Sequence, residues 1–168
     1  SCYGYMGNKR APIGDDDIAS SVTLTGQAVI KMSNEFIKEY LKQQVPDISD
    51  YNLDQCIIYN DTDSSYISIE PLVESELIKF WDGKDIHQET FDKIQEIEDY
   101  LNVNINKWAT KALLTQDSRF IFKRECIADV GVFLQKKRYV MHILDDEGIK
   151  EDKFKYTGVE VVRTTMPN

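Results

Sequence analysis

The chain has 168 residues, 42% of them hydrophobic and 29% charged, enough for one domain with its own core. Its 29 acidic side chains outnumber 20 basic ones, giving a net charge of −9, a balance that on its face speaks against a nucleic-acid partner. No apolar run approaches the roughly 20 residues of a membrane span, no secretory leader opens the chain, and scattered cysteines without a CxxC read as reduced thiols of an intracellular protein. Both ends, Ser1-Cys2-Tyr3-Gly4 and Met166-Pro167-Asn168, read as cuts within a longer polypeptide.

In chain order, Gly4, Gly7, Pro12 and Gly14 make a loop, and Asp15-Asp16-Asp17 offers N-caps for a helix. Ile18, Val22, Val29, Met32, Phe36 and Tyr40 recur at helical spacing and predict an amphipathic helix of about 28 residues that ends before Pro46. Residues 53–59 read as a buried strand, 60–63 as a turn and 65–69 as a second strand, together a hairpin with an acidic tip. A short helix is expected at 74–81. A second long helix follows at 89–114, carried by Phe91, Ile94, Leu101, Ile105, Trp108 and Ala112, with Asn102, Asn104 and Asn106 unfavourable in its middle. Residues 120–127, 132–144 and 153–162 read as strands, the last two joined by a turn at 145–148. Strands and helices come in blocks without a βαβ repeat, so the expected fold is α+β with a mainly antiparallel sheet. Trp81 and Trp108 are assigned to the core, and His87 and His142, without companions at ligand spacing, to structure.

The charge follows this organisation. Residues 47–99 carry 15 acidic against 3 basic side chains, whereas 119–139 carry 6 basic against 2 acidic. Strand-like apolar residues interrupt the basic stretch and place its charges on a defined surface.

The hairpin tip, Tyr59-Asn60-Asp61-Thr62-Asp63-Ser64, holds the chemistry. Two carboxylates two residues apart at the end of a buried strand can converge on one point, and a rigid sheet fixes them better than a loop. Magnesium prefers such oxygen ligands, commonly one or two carboxylates plus substrate phosphates. Asp-x-Asp alone is common in turns. A calcium EF-hand loop is excluded, because its sixth position would be Tyr66 and its twelfth Leu72.

The whole string resembles the YGDTDS signature of family B DNA polymerases, with Asn60 where Gly is usual. Further segments fall in that family's order. Ser1-Cys2-Tyr3-Gly4 is similar to the end of its Kx3NSxYG motif, and Gly7-Asn8 to the residues that follow in phage members. Arg124-Glu125-Cys126-Ile127-Ala128 resembles the REAIA strand of tailed-phage polymerases, and Lys136-Lys137-Arg138-Tyr139 the KKRY motif. Gly158-Val159-Glu160-Val161-Val162-Arg163 resembles the segment at the palm–thumb junction.

The resemblance implies a polymerase palm in which an antiparallel sheet with a catalytic hairpin packs on two long helices. Residues 1–14 would end the fingers–palm junction, 15–158 form the palm and 159–168 begin the thumb. The implied chemistry is two-metal transfer of a nucleotide to a primer 3′-hydroxyl, with two Mg2+ ions and Mn2+ as a substitute. Asp63 takes the role of direct metal ligand, Asp61 sits beside the metals, and Glu125 is a carboxylate on a neighbouring strand. Tyr3 matches the aromatic under the nascent base pair. Lys137 matches the lysine that reaches the primer-terminal minor groove near Asp61. Lys136 and Arg138 are implied to bind DNA, Tyr139 to pack against the primer strand, and Arg163 to contact its backbone. Primer–template DNA and dNTP are the implied partners, a sliding clamp a further one, with no membrane, in the cytoplasm of a bacterial host.

The departures are as informative. The upstream DxxSLYP aspartate, the lysine and asparagine of Kx3NSxYG, the fingers and nearly all of the thumb are not in this sequence, so the chain alone is expected to be inactive. Two alternatives stand beside this reading. An Asp-x-Asp glycosyltransferase would need a Rossmann-like βα unit before the motif. A non-catalytic DNA-binding palm-like module has only Asn60 in its favour.

Overall fold

The computed structural model describes residues 16–61, 64–114 and 118–159. Helix α1 (Asp16–Gln44) runs nearly as its periodicity predicts. Val29, Ile30, Ile37, Tyr40 and Leu41 are buried along one stripe, whereas Val22 and Leu24 are exposed. After Pro46 the expected strand is shorter and begins later. Ser49 accepts a hydrogen bond from the Asn52 N–H at 3.1 Å and caps a short helix, α2 (Asp50–Gln55). Only Ile57–Asn60 forms strand β1. With Leu53 as its one buried side chain, the segment holds too little apolar pattern to override a serine cap.

Strand β2 (Ser65–Ile67) returns antiparallel to β1, pairing Asn60 with Ser65, as the hairpin reading requires. The next helix, α3 (Glu70–Glu74), lies ahead of the expected 74–81, because Pro71 is in its first turn, where a missing N–H costs nothing. Trp81 then bridges to Ile86, and both Trp81 and Trp108 are half-buried rather than in the core.

Helix α4 (Gln88–Ala112) is continuous through its three asparagines. Asn104 and Asn106 bond back to the carbonyls of Tyr100 and Asn102, and Asn102 and Asn106 also reach outward. The Asn106 amide exchanges two bonds with the backbone of Phe120 (2.8 and 3.0 Å) and Asn102 two with Phe122 (2.8 and 2.7 Å). One turn further back, Glu98 accepts the Arg124 N–H at 2.8 Å. Four helical residues rise about 6 Å and two extended residues about 6.6 Å, so the spacings match and the helix side chains replace a partner strand. That is why 120–125, expected as strand, is extended without strand pairing. The same residues that weaken the helix on propensity anchor the following segment.

Strand β3 (Cys126–Gln135) and strand β4 (Arg138–Asp146) form a hairpin where one long strand at 132–144 was expected. The chain reverses at Lys136-Lys137, with Lys137 at φ 59°, a conformation usually marked by Gly or Asn. Strand β5 (Ile149–Thr157) pairs with β4 after a turn at Glu147-Gly148. The fold is α+β, and among the described residues the strands pair antiparallel in two sheets, β1-β2 and β3-β4-β5.

The main core joins α1 and α4 through Ile37, Leu41, Ile97 and Leu101, with Leu53, Cys56 and Leu72 from the intervening segments. Each such side chain contributes about 1.5–3 kcal/mol by leaving water. Arg124 fastens the second sheet to α4. It pairs with the buried carboxylate of Asp145, and its guanidinium carbon lies 5.6 Å from the centre of the Phe91 ring.

His142, read as structural, spans the second sheet. Its ring nitrogens lie 2.8 Å from Asp129 on β3 and 2.8 Å from Asp152 on β5, and its ring packs on Phe154. Hydrogen bonds to Asp152 and Asp129 favour the imidazolium and raise its pKa above the ordinary 6.5.

Two outcomes follow from these contacts. Asn102→Leu leaves the Phe122 backbone groups unpaired and lowers unfolding free energy by about 1–3 kcal/mol, while Asn104→Ala changes it by less than about 0.5 kcal/mol, both read by urea denaturation. The His142 contribution is complete below its unfolded pKa and is lost as pH rises through the higher folded value. The stability that His142 contributes therefore falls as pH rises past its ordinary pKa of 6.5, and His142→Gln removes that part of the pH dependence.

Candidate active site

The site is assembled where the two sheets meet. Tyr59 on β1, Tyr66 on β2, Phe133 on β3 and Tyr139 on β4 form one aromatic cluster, with ring centres 5.3 to 5.9 Å apart. The Tyr66 and Tyr139 hydroxyls share a hydrogen bond of 2.7 Å. Burial, then the bond to Tyr139, pushes the Tyr66 phenol well above its ordinary value, and the nearby Glu125 carboxylate adds to the effect. The Tyr59 hydroxyl reaches further and accepts the Lys137 backbone N–H at 3.0 Å.

This cluster carries the basic turn to the acidic hairpin. Asp61 follows β1, its N–H donating to the Ser64 carbonyl at 2.9 Å, and its carboxylate lies 3.9 Å from the Lys137 ammonium. Lys137 is largely exposed and Asp61 mostly covered, so the pair is worth at most about 1 kcal/mol in water. Its value lies in placement: a carboxylate and an ammonium from segments 76 positions apart stand at one spot.

The other expected site residues distribute as follows. Lys136 and Arg138 flank Lys137 with exposed side chains. Tyr139 is 7% exposed and points into the cluster, so its phenol is committed to the interior. Glu125 is exposed just before β3, with its carboxylate 3.3 Å from the Lys155 ammonium. Burial is the largest influence on Lys155 and opposes its charge, but the bond to Glu125 and the charge interactions with Glu125, Cys126 and Tyr139 together outweigh it and raise the lysine's pKa. Tyr3, Asp63 and Arg163 lie outside the described residues.

Among the described residues no three His, Cys, Asp or Glu side chains converge as a metal site. The donors at the hairpin, carboxylate oxygens on a short strand end, are of the kind magnesium takes. Asn60, in the signature's usual glycine position, has a buried side-chain oxygen with no hydrogen-bond partner among the described residues.

A groove of about 910 Å³ opens beside the hairpin, walled by 64–70 on one side and 120–131 on the other, with Val29, Ile30, Ile97 and Leu101 of α1 and α4 beneath. Both walls are strand-like. Among the described residues β2 pairs only with β1, and 120–124 is bonded along one edge to α4.

Sequence reasoning did not single out Tyr59, Tyr66 and Phe133 as positioning residues. Their signal was alternation on strands whose partners were unknown. No helix among the described residues is long and apolar enough to cross a membrane.

Comparison with known proteins bears on this geometry. The chain is 25% identical to the DNA-directed DNA polymerase of Escherichia phage RB69 and 26% identical to that of Enterobacteria phage T4. Each alignment covers 99% of the chain and 19% of the relative. The chain thus spans about a fifth of the length of these curated relatives. The profile of DNA polymerase family B matches residues 1–168, and the chain belongs to that family.

Proposed function

We propose that this chain is the palm of a template-directed DNA polymerase, holding the acidic hairpin and the primer-side basic turn of a two-metal nucleotidyl transferase. The observation that carries the reading is the junction just described, in which Lys137 meets Tyr59 through its backbone and approaches Asp61 through its ammonium. Two motifs far apart in sequence stand at one spot, as a reaction that used both would require.

In this reading Asp63 binds the catalytic ions directly and Asp61 lies beside them, with Glu125 close by. Bound Mg2+, or Mn2+ in its place, would make the primer 3′-hydroxyl a better nucleophile and neutralise triphosphate charge. The protein's own part is placement. Lys137 reaches the primer terminus, Lys136 and Arg138 neutralise backbone phosphates, and Arg163 extends that contact. Tyr139 acts from the interior by holding the turn. Tyr3 lies beneath the nascent base pair. Primer–template DNA and dNTP are the substrates, a sliding clamp is a further partner, and the setting is the cytoplasm of an infected bacterium.

A further carboxylate has to come from elsewhere in the polymerase. The groove between β2 and 120–125 suits an added strand, because among the described residues β2 pairs along one edge only and apolar side chains of α1 and α4 line the groove. The nucleotide-sugar alternative loses its footing. It needs a βα unit before the acidic pair, whereas β1 and β2 form an antiparallel hairpin after helices.

In a full-length polymerase carrying this chain, Asp63→Ala abolishes primer extension, by 1,000-fold or more on the order of a lost catalytic electrostatic contact, while gel-shift binding of primer–template persists. Unchanged extension would remove Asp63 from the site. The isolated chain gives no extension with Mg2+ or Mn2+; extension that depends on Asp63 would contradict the incomplete-site reading. Lys136→Ala and Arg138→Ala each weaken DNA binding across all sequences and reduce the slope of log affinity against log salt by about 1. Lys137→Ala raises the primer–template Kd by about 10-fold or more, the scale of one charge-assisted hydrogen bond.

A further inference from the structure

β5 ends at Thr157, and the next residue, Gly158, sits at φ +61°, where side chains are disfavoured. The backbone there presses on the turn between β3 and β4. A Cβ built on Gly158 would overlap the Lys137 carbonyl oxygen, and would stand 3.1 Å from Arg138 Cγ and 3.2 Å from the Lys137 carbonyl carbon. Asn and Asp tolerate such a φ better than other side chains, but no residue except glycine removes the overlap with main-chain atoms. Lys137 is itself at φ 59°, so its carbonyl has little freedom to retreat. On the opposite side, its N–H is held by the Tyr59 hydroxyl. The turn is therefore seated between the end of β5 and the side chain of β1, with the Lys137 ammonium 3.9 Å from Asp61.

We propose that Gly158 is a positioning residue: by letting the end of β5 lie against the Lys137 carbonyl, it sets where Lys137 stands relative to Asp61. A side chain at 158 displaces the turn and acts on the primer terminus through Lys137. The functional half of this statement rests on the reading of Lys137 as a primer contact; the geometric half does not.

The test uses a full-length polymerase carrying this chain, as wild type, Gly158→Ala, Lys137→Ala and the double variant. Primer–template Kd is read by fluorescence anisotropy, and hydrogen–deuterium exchange is followed in the peptide that spans the β3–β4 turn. Gly158→Ala is expected to raise Kd about 10-fold, and the double variant to bind no more weakly than Lys137→Ala alone, because coupled residues are not additive. Faster exchange in the turn accompanies the change while exchange in α1 and α4 stays unaltered. Additive losses in the double variant, or unaltered exchange in the turn of Gly158→Ala, would overturn the proposal. Faster exchange in a protein whose Lys137→Ala variant binds DNA normally upholds the positioning by Gly158 and overturns the functional reading of Lys137. Should Gly158→Ala fail to accumulate, adding Lys137→Gly frees the opposing carbonyl and restores folding; absence of that rescue also overturns the proposal.

Discussion

Four aromatic rings hold together two sheets that, among the described residues, share no backbone hydrogen bond. Tyr59 and Tyr66 come from the hairpin, Phe133 and Tyr139 from the three-stranded sheet, and each ring touches the other three. Tilted aromatic pairs are worth about 0.5–1.5 kcal/mol each beyond the area they bury. Both Tyr66 and Tyr139 satisfy their hydroxyls on one another, so burying them leaves no polar orphan. Without this cluster Asp61 and Lys137 would be tied to one another indirectly, through α4, the helical core and the Arg124 contacts. With it, a weak surface ion pair becomes a fixed relation between an acid and a base.

The same logic of borrowed contacts runs through the rest of the molecule. Helix α4 lends side chains to a segment that has no strand on that edge, and Arg124 ties that segment to Asp145 across the β4–β5 turn. His142 links the three strands of the second sheet through two carboxylates. Side-chain ties of this kind hold parts in register where the backbone ladder is interrupted. Family B polymerase chemistry, proposed to operate here, depends on such register because a small misplacement of reacting groups is costly in rate.

The long helices were legible because their apolar periodicity persists for many turns, and the acidic hairpin because its strands bracket an unmistakable polar string. The KKRY turn was not legible as a turn. Lys136-Lys137 carries neither Gly nor Asn, and the left-handed Lys137 is held there by tertiary contacts with Tyr59 and Gly158. The helix at Asp50–Gln55 was hidden behind the apolar run that follows it, although Ser49 was its cap. Asn102 and Asn106 misled for a different reason: their propensity argues against helix, and only the position of 120–122 shows what they bind. Of the site, Asp61 and Lys137 were readable from motifs. The aromatic cluster was not, since alternation tells which face a residue takes but not what lies across from it.

The ladder from α4 to 120–124 reads main chain alone. Asn102 and Asn106 grip N–H and carbonyl groups that every residue except proline supplies, and they are indifferent to the side chains those positions carry. The constraint therefore falls unequally on the two partners. Positions 98, 102 and 106 must keep side chains of the right length and polarity, whereas 120 and 122 answer to this contact only by staying extended and not becoming proline. Sequence drift can then reshape what the extended segment presents to the groove, residue by residue, while the helix goes on holding the segment in place.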